Sequence, residues 1–185
     1  MKYALLLALV SAPLLAHDIE LGQPLPAVTV TDGGALVLEG DKLSTRPFQS
    51  SELTGKVRLL QHFAGRASAK AINEPMIDAI KAAALPAEHY QTVTVINVDD
   101  ALWGTSGMVR GKAEDSKQEF PHSEIVLDEE GVVKAGWALA PKSSAILVLD
   151  AAGKVRFVKD GQLSDQEVTQ VLALLGQLIN EKRQG

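Results

Sequence analysis

Three groups of residues in this chain have the types and spacing to do chemistry. The first surrounds the stretch GKVRLLQHFAGRASAK at 55–70. An apolar run there ends at Phe63 and is followed by Arg66, Ser68 and Lys70. If a strand feeds a helix at this point, the free N–H groups of the helix start attract anions, and Arg66 adds a planar fork of donors. Asn97, Asp99 and Asp100 close a second apolar run, TVTVINVDD, with Trp103 just beyond, and Ser143 and Ser144 precede a third, AILVL. Ligands in open α/β sheets bind beyond the carboxyl ends of the strands. These nine residues are therefore grouped as one polar pocket, with Trp103 as a wall, for a peptide or a small anionic ligand. The bland alternative is a helix cap in which Ser68 caps and Arg66 pairs with Asp99 or Asp100.

The second group centres on His62. As a general base it needs a nucleophile and an orienting carboxylate, for which Ser68 and Asp99 are the candidates. No G-x-S-x-G elbow is present, and His62 reads better as a core histidine. The third group is His17, whose imidazole and α-amino group would together chelate Cu(II) or Zn(II) if the chain began there, with Asp18 and Glu20 adding oxygen. Against this stands the ordinary fraying of termini. Asp99-Asp100 and Asp128-Glu129-Glu130 lack calcium-loop spacing, and Asp128–Gly131 reads as a β-turn.

Composition narrows these options. There is no cysteine among the 185 residues, so disulfides, thiolate metal sites, Fe–S clusters and thiol mechanisms are excluded. The formal charge is −5, and no basic stripe is present, so a nucleic-acid partner is not expected. No cofactor is expected either. Residues 1–16, MKYALLLALVSAPLLA, carry a positive start at Lys2, an apolar run from Ala4 to Val10, a break at Pro13 and a small residue at Ala16. This is the pattern of a cleaved export signal, too short to span a bilayer. Export would place residues 17–185 in the periplasm as one domain with no transmembrane anchor. That chain holds 17 Lys+Arg against 23 Asp+Glu, net −6.

The elements that must position these residues alternate. Ala27–Val30 and Ala35–Leu38 flank Asp32-Gly33-Gly34, a hairpin signal. Gly40–Thr54 reads as a loop. Val57–Phe63 is a strand, and Arg66–Ala84 is a helix kinked at Pro75. Thr92–Val98 is a strand, Met108–Glu119 a helix and Ile125–Leu127 a strand. Ala145–Leu149 is continuously apolar, as for a buried central strand, and turns into Lys154–Val158. Ser164 and Glu167 form a capping box for a final helix with a wide apolar stripe. The order predicts an α/β three-layer fold, with a mixed central sheet flanked by helices and an N-terminal β-hairpin.

GKVRLLQHFAGRASAK resembles the active-site segment of extracytoplasmic thioredoxin-like proteins, where G-K-V precedes an apolar strand and W-A-x-W-C-x-x-C opens the first helix. Phe63 and Ala64 match its first Trp-Ala, Arg66 stands at the second Trp, and Ala67, Ser68, Ala69 and Lys70 fill the C-x-x-C positions. SSAILVLDAAGKVRFVKDG is similar to P-T-T-F-L-I-D-x-x-G-x-I, with Ser144 where the cis-proline would be. VLDEEGVVKAGWAL resembles an insertion that forms a short helix after the Gly. HFAGRASAK, VDDALWGTSGMVR and WALAPKSSAILVLD are closest to the YtfJ-like family of exported thioredoxin-fold chains without C-x-x-C. The resemblance implies a thioredoxin-like fold with no thiol redox activity; the polar pocket residues lead to the expectation of a binding or accessory role with a periplasmic protein, a peptide or a small anion. The alternative is a thiol-independent enzyme, a hydrolase or metal-dependent, using His62 or His17.

Overall fold

The computed structural model describes residues 17–184, so the export signal expected over 1–16 lies outside the described residues. The elements are β1 (Thr29–Glu39), β2 (Lys42–Gln49), a 3-10 turn (Ser50–Glu52), β3 (Val57–Ala64), α1 (Ala67–Ile72), α2 (Glu74–Ala83), β4 (Tyr90–Asn97), α3 (Ser106–Glu119), β5 (Glu124–Asp128), α4 (Val132–Gly136), β6 (Ser144–Leu149), β7 (Val155–Asp160) and α5 (Asp165–Gln184). Among the described residues the strands form one seven-stranded mixed sheet, in the order β2-β1-β5-β4-β3-β6-β7. β3, β4 and β5 run parallel, and β6 is antiparallel to β3.

Side chains alternate between sheet faces along each strand, so register decides what each helix covers. Leu60, Val93, Val95, Val126 and Leu147 face one way, where α4 and the segment from Ile19 to Val28 close over them around Trp137. Val57, Leu59, Ile146 and Val148 face the other way, under α2 and α5. Phe63, Ile96 and Leu127 continue that second face under α1 and α3. These are the three layers expected. The final helix starts as its sequence predicts: Glu167 accepts from the Ser164 N–H at 2.8 Å, and its own N–H donates to Ser164 Oγ at 3.3 Å.

Four expectations are corrected. Gly33 and Gly34 do not turn the chain. They form a bulge within β1, at φ +83° and +77°, where a Cβ would lie 2.4 Å from the Leu127 carbonyl oxygen and 2.2 Å from that of Arg46. Two glycines let β1 squeeze between β2 and β5 while its register shifts. The hairpin turn is instead at Gly40-Asp41, and most of the expected Gly40–Thr54 loop is β2. Arg66–Ala84 is two helices, not one kinked helix. They break at Asn73, and Pro75 sits in the first turn of α2, where its missing N–H costs no helix bond. Finally, β6 is not central: it is second from the edge, yet all six of its residues are buried because both faces are covered.

Candidate functional site

The carboxyl ends of β3 and β4 bring part of the expected pocket together. The Gly65 N–H donates to the Asn97 carbonyl at 2.7 Å, and a Cβ at Gly65 would lie 2.9 Å from that oxygen, so the close approach needs glycine. The chain then turns so that the half-buried Arg66 reaches the Asp100 carbonyl, with Nε donating at 2.8 Å and a terminal guanidinium nitrogen donating to the same oxygen. Arg66 thus binds Asp100 through its backbone and not its carboxylate. Asp100 Oδ2 is free for other donors, namely Asn97 Nδ2 at 3.1 Å, the Lys142 N–H at 3.3 Å and Lys134 Nζ at 3.4 Å. Asp99 lies 3.9 Å from the same ammonium. Asn97 is fully buried, and its Oδ1 has no hydrogen-bond partner.

Other expected members lie elsewhere. Ser144 is in phase with Ile146 and Val148, so it faces the α1–α2 side, where its Oγ accepts from Asn73 Nδ2 at 3.1 Å. Asn73 also donates to the Gly161 carbonyl and accepts from the Leu163 N–H, each at 3.0 Å. This ties the helix break to the start of α5 and makes Ser144 structural. Ser143 is half-buried, and its carbonyl accepts from the Ala64 N–H at 3.0 Å. Trp103 is no wall, because it is fully exposed. Ser68 and Lys70 are exposed on α1, and neither Ser68 nor any other side chain caps that helix.

His62 faces the α4 side, opposite Phe63 and α1, so Ser68 is not its nucleophile. It is 2% exposed, and its Nε2 has no partner. Burial holds its pKa down to about 4, with the Asp100 carboxylate pulling upward and the Lys134 ammonium downward. The satisfied N–H expected of a core histidine is therefore not found at Nε2. His17 Nδ1 accepts from the Ile19 N–H at 3.3 Å, and no metal-capable cluster of three such groups occurs among the described residues. The Asp128 carboxylate takes the Val132 and Val133 N–H groups at 3.0 and 2.9 Å and so starts α4. Glu129 grips Arg110 at 2.6 and 2.7 Å.

Sequence reasoning missed Lys134, Lys142 and Asn73. Lys134 follows Asp128 by six residues, and the spacing of Asp128, Gly131 and Lys134 is a signal that α4 carries a cation back over the strand ends. A direct check of the thioredoxin-like register is Ala67→Cys with Lys70→Cys. The two positions are i and i+3 at the start of α1, and a disulfide is expected to form in air, counted by free-thiol titration. Two persistent free thiols would overturn the register.

The comparisons show the family and the fold. The family model described as a bacterial protein of unknown function (YtfJ_HI0045) matches residues 19–178. An uncharacterized protein of Haemophilus influenzae is 48% identical over 163 residues, 88% of this chain and 89% of that protein. The uncharacterized protein YtfJ of Escherichia coli K12 is 46% identical over 164 residues, 89% of each. Among solved structures, a protein of Bacteroides thetaiotaomicron provisionally assigned as a disulfide isomerase superposes with a TM-score of 0.61 at 17% identity, over 91% of this chain and 95% of that one. The thioredoxin domain of a thiol-disulfide oxidoreductase from Bacteroides vulgatus gives 0.54 at 16%, over 84% and 97%. These two likenesses show the fold and nothing of activity: the fold is thioredoxin-like, and it carries no cysteine. With that fold and these relatives, the chain belongs to the YtfJ_HI0045 family of bacterial proteins of unknown function.

Proposed function

We propose that this protein is an exported, non-redox binding module that holds a peptide or small anionic ligand at the carboxyl ends of β3 and β4. The observation that carries this reading is the state of the cations there. Arg66 is fixed by two bonds to a carbonyl oxygen, and Arg66, Lys70 and Lys142 have no carboxylate partner among the described residues. Where thiol enzymes of this fold hold their reactive sulfurs, this chain presents fixed positive charge and exposed hydroxyl. The absence of cysteine removes thiol chemistry, and the separation of His62 from Ser68 removes the support for a serine hydrolase. Export draws support from the leader-like residues 1–16, and Asp18 is already bonded into the fold through its N–H to the Trp137 carbonyl at 3.0 Å.

In-cell crosslinking followed by mass spectrometry of the osmotic-shock fraction tests both halves. The protein is expected there, beginning at His17, with a reproducible partner or bound anion. Lys70→Glu with Lys142→Glu is expected to weaken that association roughly tenfold at unchanged melting temperature, as loss of complementary charge on an exposed rim does. Retention in the cytoplasm sinks the export reading, and association indifferent to both charge reversals sinks the site.

A further inference from the structure

We propose that the segment Ala140–Lys142 is a flap over His62, hinged at Leu139 and Ser143, that opens in acid. As regulation of the site above, to which Lys142 belongs, it rests on the binding reading. The movement itself is read on the protein alone, so either can fail without the other. Three observations define the flap. The first is its attachment. Leu139 is buried, with its N–H on the Lys134 carbonyl at 3.0 Å, and the Ser143 carbonyl takes the Ala64 N–H. Between these hinges the Ala140 N–H donates to Asp160 Oδ2 at 2.7 Å and the Lys142 N–H to Asp100 Oδ2 at 3.3 Å, while Pro141 has no N–H to give. The flap is thus held by two carboxylates and by no helix or strand ladder. The second is strain. Ala138 and Lys142 stand at φ +52° and +57°, left-handed values that are costly for residues with a Cβ. The third is the underside. His62 pairs with Ala145 and Ala145 with Asp160, so His62 and Asp160 share a sheet face with only a methyl side chain between them. Asn97 is in phase with Val93 and Val95 and joins that face. His62 Nε2, Asn97 Oδ1 and Asp160 Oδ1 are three of the five buried side-chain polar atoms that lack a hydrogen-bond partner among the described residues. Each costs free energy while buried and gains a bond when water enters.

The charges around His62 set the direction of the switch. Asp99 and Asp100 lie past β4, Lys134 on α4, Asp160 on β7 and Lys142 on the flap itself. On β3, Arg58 lies four residues back and bonds Gln91 at 3.1 Å, and Arg66 beyond the strand holds the Asp100 carbonyl. Asp128 ends β5 with its carboxylate on the α4 N–H groups, and Asp18 and Glu20 of the N-terminal segment are exposed. Burial is the largest influence on the imidazole and disfavours its charged form; the Asp100 carboxylate favours the proton and the Lys134 ammonium opposes it, leaving a pKa of about 4. With the flap open the ring meets water and titrates near 6.5 again. Above pH 6.5 both forms are neutral, and pH has no hold on the flap. Between 6.5 and 4 the open form takes up a proton that the closed form refuses, so acid favours opening, and below 4 the gain levels off. The full span corresponds to a rise of roughly 300-fold in the opening equilibrium.

Amide hydrogen exchange followed by NMR from pH 7 to pH 4, corrected for the intrinsic pH dependence of exchange, tests this. The Ala140 and Lys142 amides are expected to exchange through an opening that low urea does not promote, the mark of a local event. That opening is expected to grow roughly 300-fold across the range. His62→Leu is expected to abolish the growth, and His62→Gln gives the same comparison should the leucine variant not fold. Asp160→Ala is expected to raise the opening at pH 7 roughly tenfold or more, as loss of a charged hydrogen-bond partner does. An opening that is flat with pH, that grows equally in the histidine variants, that follows urea as the sheet amides do, or that ignores Asp160→Ala overturns the flap.

Discussion

Trp137→Ala is expected to cost about 3–5 kcal/mol of folding free energy, the usual range for truncating a large buried aromatic. Trp137 is completely buried at the end of α4, and its Nε1 donates to the Pro26 carbonyl at 2.9 Å. It packs in the same cluster as Ile19, Leu25 and Val133 and thus joins the N-terminal segment, the short helix and the sheet. Truncation leaves a cavity that a five-residue helix is too short to refill by shifting. Urea unfolding followed by circular dichroism measures the loss. Limited proteolysis is expected to open the chain between residues 17 and 28 first, because that segment lies against the indole. A loss under about 1 kcal/mol would show instead that the site collapses freely.

The second large effect is a pH dependence carried by His62. In the folded protein its pKa is about 4, whereas an unfolded histidine titrates near 6.5. Above pH 6.5 both states are neutral, and His62 contributes no slope. As the pH falls from 6.5 toward 4, the unfolded chain takes up a proton that the folded one refuses, so stability falls by about 3 kcal/mol across that window and then levels off. His62→Leu removes this component and fills the same space with an apolar side chain. The stability difference between the wild type and the variant, measured by urea midpoints at intervals from pH 7 to pH 4, is expected to shift by that amount in favour of the variant. Parallel curves would assign the acid sensitivity to other groups.

The parts of this fold that were legible in sequence are those whose burial is one-sided or complete. Val57–Phe63 and Thr92–Val98 declare themselves as strands because helices cover both faces, and the final helix declares itself by Ser164, Glu167 and its stripe. β2 was illegible because it is an edge strand: of KLSTRPFQ only Phe48 points into the core, so no alternation shows. The Gly33-Gly34 pair carries the same signature whether it turns a chain or bulges a strand, and the choice is made by the distant β5. The candidate site was half legible for a related reason. Sequence places Ser144, Asn97 and His62 at one end of the sheet, but strand register puts Ser144 on the face opposite the other two, and register is a property of pairs of strands. Trp103 read as a wall because apolar residues are usually covered, and nothing local distinguishes an exposed tryptophan from a buried one.

The insertion of β1 between β2 and β5 has a kinetic side. Ala35 pairs with Val126, and on the far side of the sheet Leu60 pairs with Leu147, so the sheet closes only through contacts almost a hundred residues apart. Chains whose native contacts lie that far apart along the sequence fold slowly, because long loops must close before any pairing rewards them. Until β5 has emerged, β1 has only its hairpin partner, and an isolated hairpin is marginal in water. A chain built this way cannot complete its sheet from any one stretch of sequence, so the native state becomes accessible only once the whole length from β1 to β7 is available.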